Sequence, residues 1–245
     1  MSASSVCIVF ALPEEARPFL KRSPWRSKVL TAVSGQGAAK AARTTRALLR
    51  PETKLLIVCG FGGGLVPELV PGDLVLADRV INSSTVPSTN FDFLPDSVLL
   101  AAAESVPVSG VTILTAPLVT DTHVLADSDE KRSVAARSGA AAVDMETAAA
   151  VAVAVEYGVP WLAVRAITDG VDDNMPFDFA ALSDAEGSVS HGKVVFAALT
   201  HPWKIPALIR LGARSSLAAK NLDVPLWPLN PCQTIITSYF TINRI

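Results

Sequence analysis

The chain has 245 residues, of which 50% are hydrophobic and 18% are charged, and its formal net charge is −2. This length and composition predict one folded domain with a large core and exclude an intrinsically disordered chain. The near-neutral charge gives no overall basis for binding nucleic acid. No apolar stretch as long as a membrane span runs without Pro, Gly or charge, so we expect no transmembrane helix.

Cysteine usage and the amino terminus predict a cytoplasmic protein. Cys7, Cys59 and Cys232 are too widely spaced for a metal site or a disulfide framework, which indicates a reducing compartment. The segment MSASSVCIVFA lacks the basic region of a signal peptide.

Short apolar runs alternate with helical stretches along most of the chain. The strand-like runs are Val6–Ala11, Lys28–Val33, Leu55–Cys59, Leu74–Ala77, Val111–Leu114 and Trp161–Ile167. The helical stretches are Gly37–Leu49, Asp127–Arg137, Met145–Tyr157 and Gly187–Leu199. Apolar strands alternating with helices are typical of a largely parallel sheet buried on both faces. We therefore predict an α/β fold in one domain.

The segment ALPEEARPF (Ala11–Phe19) follows the first predicted strand. Pro13 begins a helix, and Glu14 and Glu15 lie in its first turn, where Glu routinely stabilises the helix dipole. The alternative is that one of them points back over the strand end, where ligands bind in α/β folds. The sequence leaves both interpretations open.

Two glycine-rich segments, SGQGAAK (Ser34–Lys40) and CGFGGGL (Cys59–Leu65), follow predicted strands. Neither matches the dinucleotide fingerprint, because Lys40 replaces the third glycine in the first and no helix follows the second. We expect no cofactor and no metal. The glycines of the second segment are predicted to let the backbone approach a small ligand.

The segments VDMETA (Val143–Ala148) and VRAITDG (Val164–Gly170) place Glu146, Arg165 and Asp169 in apolar sequence. Carboxylates rarely occur in such surroundings unless they are paired or used. Taken alone, each of these residues is explained by a helix cap or a structural ion pair as well as by a functional role. Together with the preceding motifs, they predict an enzyme site.

Residues Pro202–Leu222 form a separate amphipathic element, with Leu208, Leu211 and Leu222 on one face and Arg210 and Arg214 on another. One interpretation is a surface helix packed on the core. The other is a basic interfacial helix anchored by Trp203. Residues 226–245 differ in composition, and we assign them no role.

In this order, the motifs AxxEE, SGxG, GxGGG, VDMETA and RAITDG resemble the nucleoside phosphorylase/nucleosidase family over roughly residues 6–200. The likeness is greatest to methylthioadenosine/S-adenosylhomocysteine nucleosidases. The segments DDNMP and HPWKIPALIRLG further resemble hopanoid-associated nucleosidases. The resemblance implies a three-layer sandwich around a mostly parallel mixed sheet. It divides the chain into a catalytic domain (1–200), a basic amphipathic helix (201–225) and a tail (226–245).

The resemblance also implies a role for each site residue. Asp169 matches the acid that protonates the purine at N7, and burial would favour its protonated form. Glu146 matches the glutamate that holds the ribose hydroxyls, and Glu15 matches the acid that activates water. The remaining residues of the substrate site are Met145 beneath the sugar, Arg165 near the water, and Phe61, Gly62 and Gly63 in the glycine run.

Two departures bear on the nucleophile. Phe61 stands where the family often has a Ser, and Gly60–Val75 lacks the arginines that phosphorylases use. Both departures favour hydrolysis over phosphorolysis. Asp144 replaces the commoner Glu, and we expect no functional effect.

We therefore predict a purine nucleosidase that releases adenine from a 5′-substituted adenosine, with an adenosylhopane-type lipid nucleoside as the suspected substrate. The alternatives are a methylthioadenosine/S-adenosylhomocysteine nucleosidase, a phosphate-dependent phosphorylase and a non-catalytic nucleoside-binding protein. The expected partners are a small purine nucleoside, a second copy in a homodimer and a membrane surface in peripheral contact, but no nucleic acid.

Overall fold

The computed structural model describes residues 5–24, 26–83, 92–105, 110–175, 200, 203 and 205–222. This part of the chain contains seven strands and six α-helices. The strands are β1 (Val6–Phe10), β2 (Leu30–Val33), β3 (Leu55–Gly64), β4 (Leu74–Asn82), β5 (Ile113–Thr120), β6 (Ala142–Asp144) and β7 (Trp161–Asp169). The helices are α1 (Pro13–Arg22), α2 (Ala38–Leu48), α3 (Ser97–Glu104), α4 (Ser128–Ser138), α5 (Thr147–Glu156) and α6 (Ile205–Leu222).

The strands form one mixed sheet in the order β2-β1-β3-β6-β5-β4-β7, and an additional pairing of β3 with β7 closes part of the sheet on itself. Five pairings are parallel, namely β1–β2, β1–β3, β3–β7, β4–β5 and β5–β6. The pairings β3–β6 and β4–β7 are antiparallel. The prediction of a mostly parallel mixed sheet in an α/β domain is confirmed.

Successive side chains of β1 enter two cores on opposite faces of the sheet, and residues of β5, β6 and α4 contribute to a third cluster. Cys7 and Val9 pack in a core that includes Ala41 of α2 and Ala150 of α5. The alternating residues of β1 pack instead with Phe19 of α1 and Leu222 of α6. Helices therefore cover both faces, as the resemblance implied. This covering explains why a strand such as β1 is apolar on both faces rather than alternating.

Several elements differ from the sequence prediction. Strands β4 and β5 extend to Asn82 and Thr120, beyond the predicted ends at Ala77 and Leu114. Strand β6 and helix α3 were not predicted, and β6 has only three residues, too few for a periodic pattern. Strand β3 continues beyond Cys59 through the whole glycine run to Gly64, so these glycines belong to a strand and not to the loop after it. The predicted helix Gly187–Leu199 lies outside the described residues.

Helix α6 packs on the core and also exposes apolar side chains. Ala218 and Leu222 are buried, while Ile205 and Ile209 are exposed. Among the described residues, no helix is long and apolar enough to cross a membrane. The division of the chain at residues 200 and 225 stays a prediction, and residues 226–245 lie outside the described part.

The middle of β3 has no room for a side chain at Gly60. A Cβ atom there would lie 2.0 Å from Arg165 Nη1 and 3.0 Å from Glu15 Oε1. Gly212 of α6 is the opposite case, because a Cβ atom there would meet nothing within 4 Å. The same substitution at the two positions therefore separates steric crowding from backbone propensity.

We expect Gly60→Ala to lower the free energy of unfolding by roughly 1–3 kcal/mol, because the new methyl group displaces a buried guanidinium. Gly212→Ala is the matched control, and it should raise that free energy by up to about 1 kcal/mol, because Ala is the better helix former. Urea denaturation of both variants measures the two values. A Gly60→Ala variant as stable as the wild type would contradict the packing described for Arg165.

Candidate active site

A cavity of about 760 Å³ lies at the edge of the sheet where β1, β3 and β7 end. Parallel strands place their carboxyl ends at one edge, which is where α/β folds bind ligands. All the sequence-predicted site residues except Arg165 line this cavity, namely Glu15, Phe61, Gly62, Gly63, Met145, Glu146 and Asp169. Arg165 lies on β7 and is fully buried. The structure therefore brings the predicted residues together.

Glu15 is held by three backbone N–H groups. Its Oε2 accepts hydrogen bonds from Ala11 and Leu12, each at 2.8 Å, and its Oε1 accepts one from Phe61 of β3, also at 2.8 Å. The hydrogen bonds from Ala11 and Leu12 cap the first turn of α1. The hydrogen bond from Phe61 of β3 holds the carboxylate over the end of the strand. Burial raises the pKa of Glu15 to about 6, against the opposing effects of Arg165 and the three N–H groups.

Asp144 fixes the guanidinium group of Arg165. Arg165 Nη2 lies 2.5 Å from Asp144 Oδ2, and both residues contact the hydroxyl of Thr147. Thr120 Oγ1 also donates to Asp144 at 2.6 Å. Burial disfavours the charged guanidinium, but Asp144, Glu146 and Glu15 together raise the pKa of Arg165 above its ordinary value. Asp144 is therefore the ion-pair partner of this buried arginine, and the expectation that Asp in place of the commoner Glu has no functional effect stays a prediction.

One nitrogen of Arg165 has no hydrogen-bond partner. Its Nη1 is buried and unpaired among the described residues, and it lies on the side of the guanidinium that faces Gly60 and Glu15. A buried donor of this kind costs free energy unless water or a ligand satisfies it. Arg165 Nη1 is therefore a buried donor near the Glu15 carboxyl group that no described residue satisfies.

Glu146 lies at the start of α5 and reaches across to the loop after β2. Its Oε1 accepts a 2.6 Å hydrogen bond from the backbone N–H of Gly37, and Gln36 donates to the sulfur of Met145 at 3.4 Å. Burial, followed by the negative charge of Asp144, raises the pKa of Glu146 to about 7, although Arg165 and the Gly37 N–H oppose the change. The ordinary value for Glu is 4.5. This carboxyl group is therefore poised to change charge near neutral pH.

Asp169 forms an ion pair that was not predicted. Its Oδ2 accepts from the ammonium group of Lys131 on α4, and its Oδ1 accepts from the hydroxyl of Thr168 at 2.7 Å. The Lys131 side chain is 0% exposed and that of Asp169 is 4% exposed. Lys131 lies in the segment SDEKR, whose charges indicate a solvent-exposed helix face. No signal in the sequence distinguishes it from its exposed neighbours.

The glycines of β3 leave space for the side chains of β7 as well as for a ligand. A Cβ atom at Gly62 would lie 3.2 Å from the Cβ of Arg165, and one at Gly63 would lie 3.3 Å from Asp169 Oδ2. The predicted reason for these glycines was therefore incomplete: they line the cavity, but they also let the side chains of β7 approach β3. The pairing of β3 with β7 shifts register between Gly62 and Gly63, beside Asp169.

Neither a thiol nor a metal-binding cluster belongs to the described site. Burial raises the pKa of Cys59 to about 12, so its thiol is protonated and is a poor nucleophile at neutral pH. Across the described ranges, no group of three or more His, Cys, Asp or Glu residues has the arrangement of a metal site. The charged groups described above are carboxyl groups, the guanidinium of Arg165 and the ammonium group of Lys131.

Comparison with known proteins gives a consistent result. The Phosphorylase superfamily matches residues 7–200. The 5′-methylthioadenosine/S-adenosylhomocysteine nucleosidase of Geobacillus thermodenitrificans is 30% identical over 166 residues, which cover 59% of this chain and 69% of the relative. The futalosine hydrolase of Streptomyces coelicolor is 30% identical over 193 residues, which cover 70% of this chain and 79% of the relative.

Among solved structures, the futalosine hydrolase of Helicobacter pylori superposes with a TM-score of 0.67 at 18% identity, covering 91% of this chain and 97% of that one. At this identity the likeness establishes the fold alone. The superfamily match, in contrast, spans most of the chain and all of the described residues around the cavity except Leu211 and Ser215. The chain therefore belongs to the phosphorylase superfamily, and it is an enzyme that cleaves nucleosides.

Proposed function

We propose that the protein is a purine nucleosidase, which hydrolyses the N-glycosidic bond of a 5′-substituted adenosine and releases adenine. The observation that carries this proposal is the set of three buried carboxyl groups around one cavity, those of Glu15, Glu146 and Asp169. Glycosidic cleavage passes through an oxocarbenium-like state. It therefore needs an acid for the leaving base, negative charge near the sugar and a base for the water.

Asp169 is the proposed acid for the leaving base. In this role it transfers a proton to N7 of the purine while the electron pair of the C1′–N9 bond moves onto the base. Its place at the end of β7, among the cavity-lining residues, supports this assignment.

Glu146 and Glu15 are the proposed partners of the sugar and the water. Glu146 accepts the ribose hydroxyl hydrogens, with Met145 packed beneath the ring. Glu15 accepts a proton from the water that attacks C1′, and its pKa of about 6 suits a general base that works near neutral pH. The unpaired Nη1 of Arg165 supports a water position beside Glu15.

The charges around the cavity favour water over phosphate as the nucleophile. Among the described residues the lining includes no Lys or Arg, whereas five carboxyl groups face it, those of Glu14, Glu15, Asp144, Glu146 and Asp169. A phosphate dianion would meet no cation at the described cavity surface, because Arg165 is buried and paired with Asp144. We therefore assign hydrolysis rather than phosphorolysis to this site.

Apolar side chains of the cavity lining support a large apolar 5′ substituent. Leu211 of α6 lines the cavity, as do Leu12, Val33, Val124 and Leu125. We propose that these side chains receive the apolar part of an adenosylhopane-type lipid nucleoside. The alternative substrates are methylthioadenosine and S-adenosylhomocysteine, which the name of the Geobacillus relative supports. Adenine release from methylthioadenosine, measured beside release from an adenosine with a long apolar 5′ chain, distinguishes the two.

Helix α6 also supports peripheral contact with a membrane. Trp203 and Ile209 are 70% and 67% exposed, and Ile205 is exposed beside them. Arg210 and Lys220 are exposed on the same helix, which contains no acidic residue. Apolar and basic side chains together are typical of helices that lie at an anionic lipid surface.

The expected homodimer stays a prediction.

We expect Asp169→Asn to reduce the single-turnover rate of base release by about 10² to 10⁴-fold, the usual loss for a general acid. Asp73→Asn is the matched control. Asp73 is also buried, but its carboxylate accepts a hydrogen bond from the Val70 N–H and does not belong to the cavity lining. A melting curve confirms that each variant is folded before assay. An Asp169→Asn variant that keeps more than a tenth of the rate would exclude Asp169 as the acid.

We expect Glu146→Gln to lose base release while the fold becomes more stable at alkaline pH. The folded-state pKa of Glu146 is raised, so its contribution to stability falls as the pH rises from about 4.5 through about 7. Gln carries no charge at either pH, so the variant does not lose stability in this way. The measurement is the free energy of unfolding at pH 5 and pH 8, beside the rate. A variant less stable than the wild type at pH 8 would instead support a structural ion pair with Arg165.

We expect adenine release to proceed in phosphate-free buffer and to form the free sugar, because the cavity lining is negatively charged. The measurement is the rate with and without phosphate, together with mass analysis of the sugar. A rate that depends strictly on phosphate, with a sugar 1-phosphate product, would reverse the assignment of the nucleophile.

We expect Ile209→Glu to reduce co-sedimentation with anionic liposomes, because it places a negative charge on the exposed apolar stripe of α6. Val155→Glu is the control, since Val155 is exposed on α5. Each basic residue near the lipid contributes roughly 1 kcal/mol, so binding should weaken with added salt. Equal sedimentation of wild type and both variants at low salt would leave α6 as a helix that only packs on the core.

A further inference from the structure

Helix α6 supplies the described part of the cavity lining that lies outside the superfamily match. Leu211 and Ser215 of this helix line the cavity, whereas the match covers residues 7–200. The acids to which the proposed reaction assigns a role are Glu15, Glu146 and Asp169, and all three lie within the match. Helix α6 therefore contributes to the cavity without taking part in the proposed bond cleavage.

Two polar contacts hold α6 against the sheet beside the cavity. Arg214 Nη1 pairs with Asp173 Oδ2 at 2.9 Å, and the same oxygen accepts a 2.8 Å hydrogen bond from the backbone N–H of Gly170, in the turn that follows β7. Nearer the carboxyl end of the helix, Asn221 donates to the carbonyl oxygen of Gly72 at 2.8 Å. The helix also packs against α1 and β7. The position of its cavity-lining side chains is therefore fixed by the fold.

We infer that α6 is the specificity element of this enzyme: Leu211 and Ser215 contact the 5′ substituent and limit its size. This inference rests on the proposed function and deepens it. The adenine contacted by Asp169 and the ribose hydroxyls held by Glu146 are the same in every 5′-substituted adenosine, so those contacts cannot distinguish one substrate from another. The 5′ substituent is the part that differs, and it needs cavity-lining side chains that the reaction itself does not use.

The arrangement of residues on α6 allows this inference to be tested within one helix. Leu211 and Ser215 are four residues apart, and side chains at that spacing lie on the same face of a helix. Both are half-buried, whereas the next residue, Ser216, is exposed and does not belong to the cavity lining. The two adjacent serines therefore separate an effect on the cavity from an effect on the helix.

The experiment measures kcat/KM for adenine release from a series of 5′-alkylthioadenosines, from methyl to octyl. Ser215→Trp adds bulk at the cavity, and Ser216→Trp, which adds the same side chain at the neighbouring exposed position, is the matched control. Leu211→Gln places an amide of similar length in the apolar lining. Melting curves define the temperature at which each variant is folded.

We expect Ser215→Trp to lower the ratio of kcat/KM for the octyl compound to that for the methyl compound by about tenfold or more, because the new side chain occupies the space of the longer chain. Leu211→Gln should lower the same ratio, because the longer chain loses apolar contact. Ser216→Trp should keep the wild-type ratio. If Ser215→Trp does not fold, Leu211→Gln carries the same comparison.

A wild-type ratio in the folded Ser215→Trp and Leu211→Gln variants overturns the inference. An equal loss with every member of the series is one such result, and it would place α6 over the adenine instead. Failure of both variants to fold also overturns it, because these residues would then serve the core. A wild type that releases no adenine from any member of the series contradicts the proposed function instead.

Discussion

The buried ion pair between Arg165 and Asp144 is the constraint on which the arrangement of the site depends. A guanidinium inside a protein is tolerated only when its charge and most of its donors are satisfied. Asp144 supplies the opposite charge for Arg165, and Thr147 supplies a further hydrogen-bond acceptor. Because Arg165 lies on β7 and Asp144 ends β6, the pair ties together two strands that are not neighbours in the sheet order. It also forces β3, which lies between Arg165 and α1, to carry Gly60.

The site contains two separate groups of charges with different tasks. One group surrounds Arg165 and includes Asp144, Glu15 and Glu146. Burial raises the pKa values of the two glutamates, and Arg165 opposes that change. The other group is the Lys131–Asp169 pair on the opposite side of the glycine run. Carboxyl groups whose surroundings differ in this way can perform acid and base steps in the same reaction. Glycine is what allows both groups to approach a single strand, because β3 projects no side chain between them at Gly60, Gly62 or Gly63.

Much of the architecture was predictable because the physical signals were local. Short apolar runs such as Val6–Ala11 indicate strands covered on both faces, and Glu15, Glu146 and Asp169 stand out as acids in apolar sequence. Lys131 was not predictable, because its segment is charged and its burial depends on the distant turn after β7. The ion pair of Asp144 was not predictable for a similar reason. Its partner, Arg165, lies on another strand, and a sequence read along one segment does not contain that contact.

Helix α6 contacts both the core and the cavity. Ala218 and Leu222 anchor its carboxyl-terminal half in the core, while Leu211, two turns earlier, lines the cavity. Each residue of a helix turns by about 100°, so inserting or deleting one residue between these positions would rotate Leu211 away from the cavity wall. The spacing along the helix is therefore as constrained as the core itself. Relatives that share this helix are free to change substrate by substitution on its inner face, but not by changing its length between the two contacts.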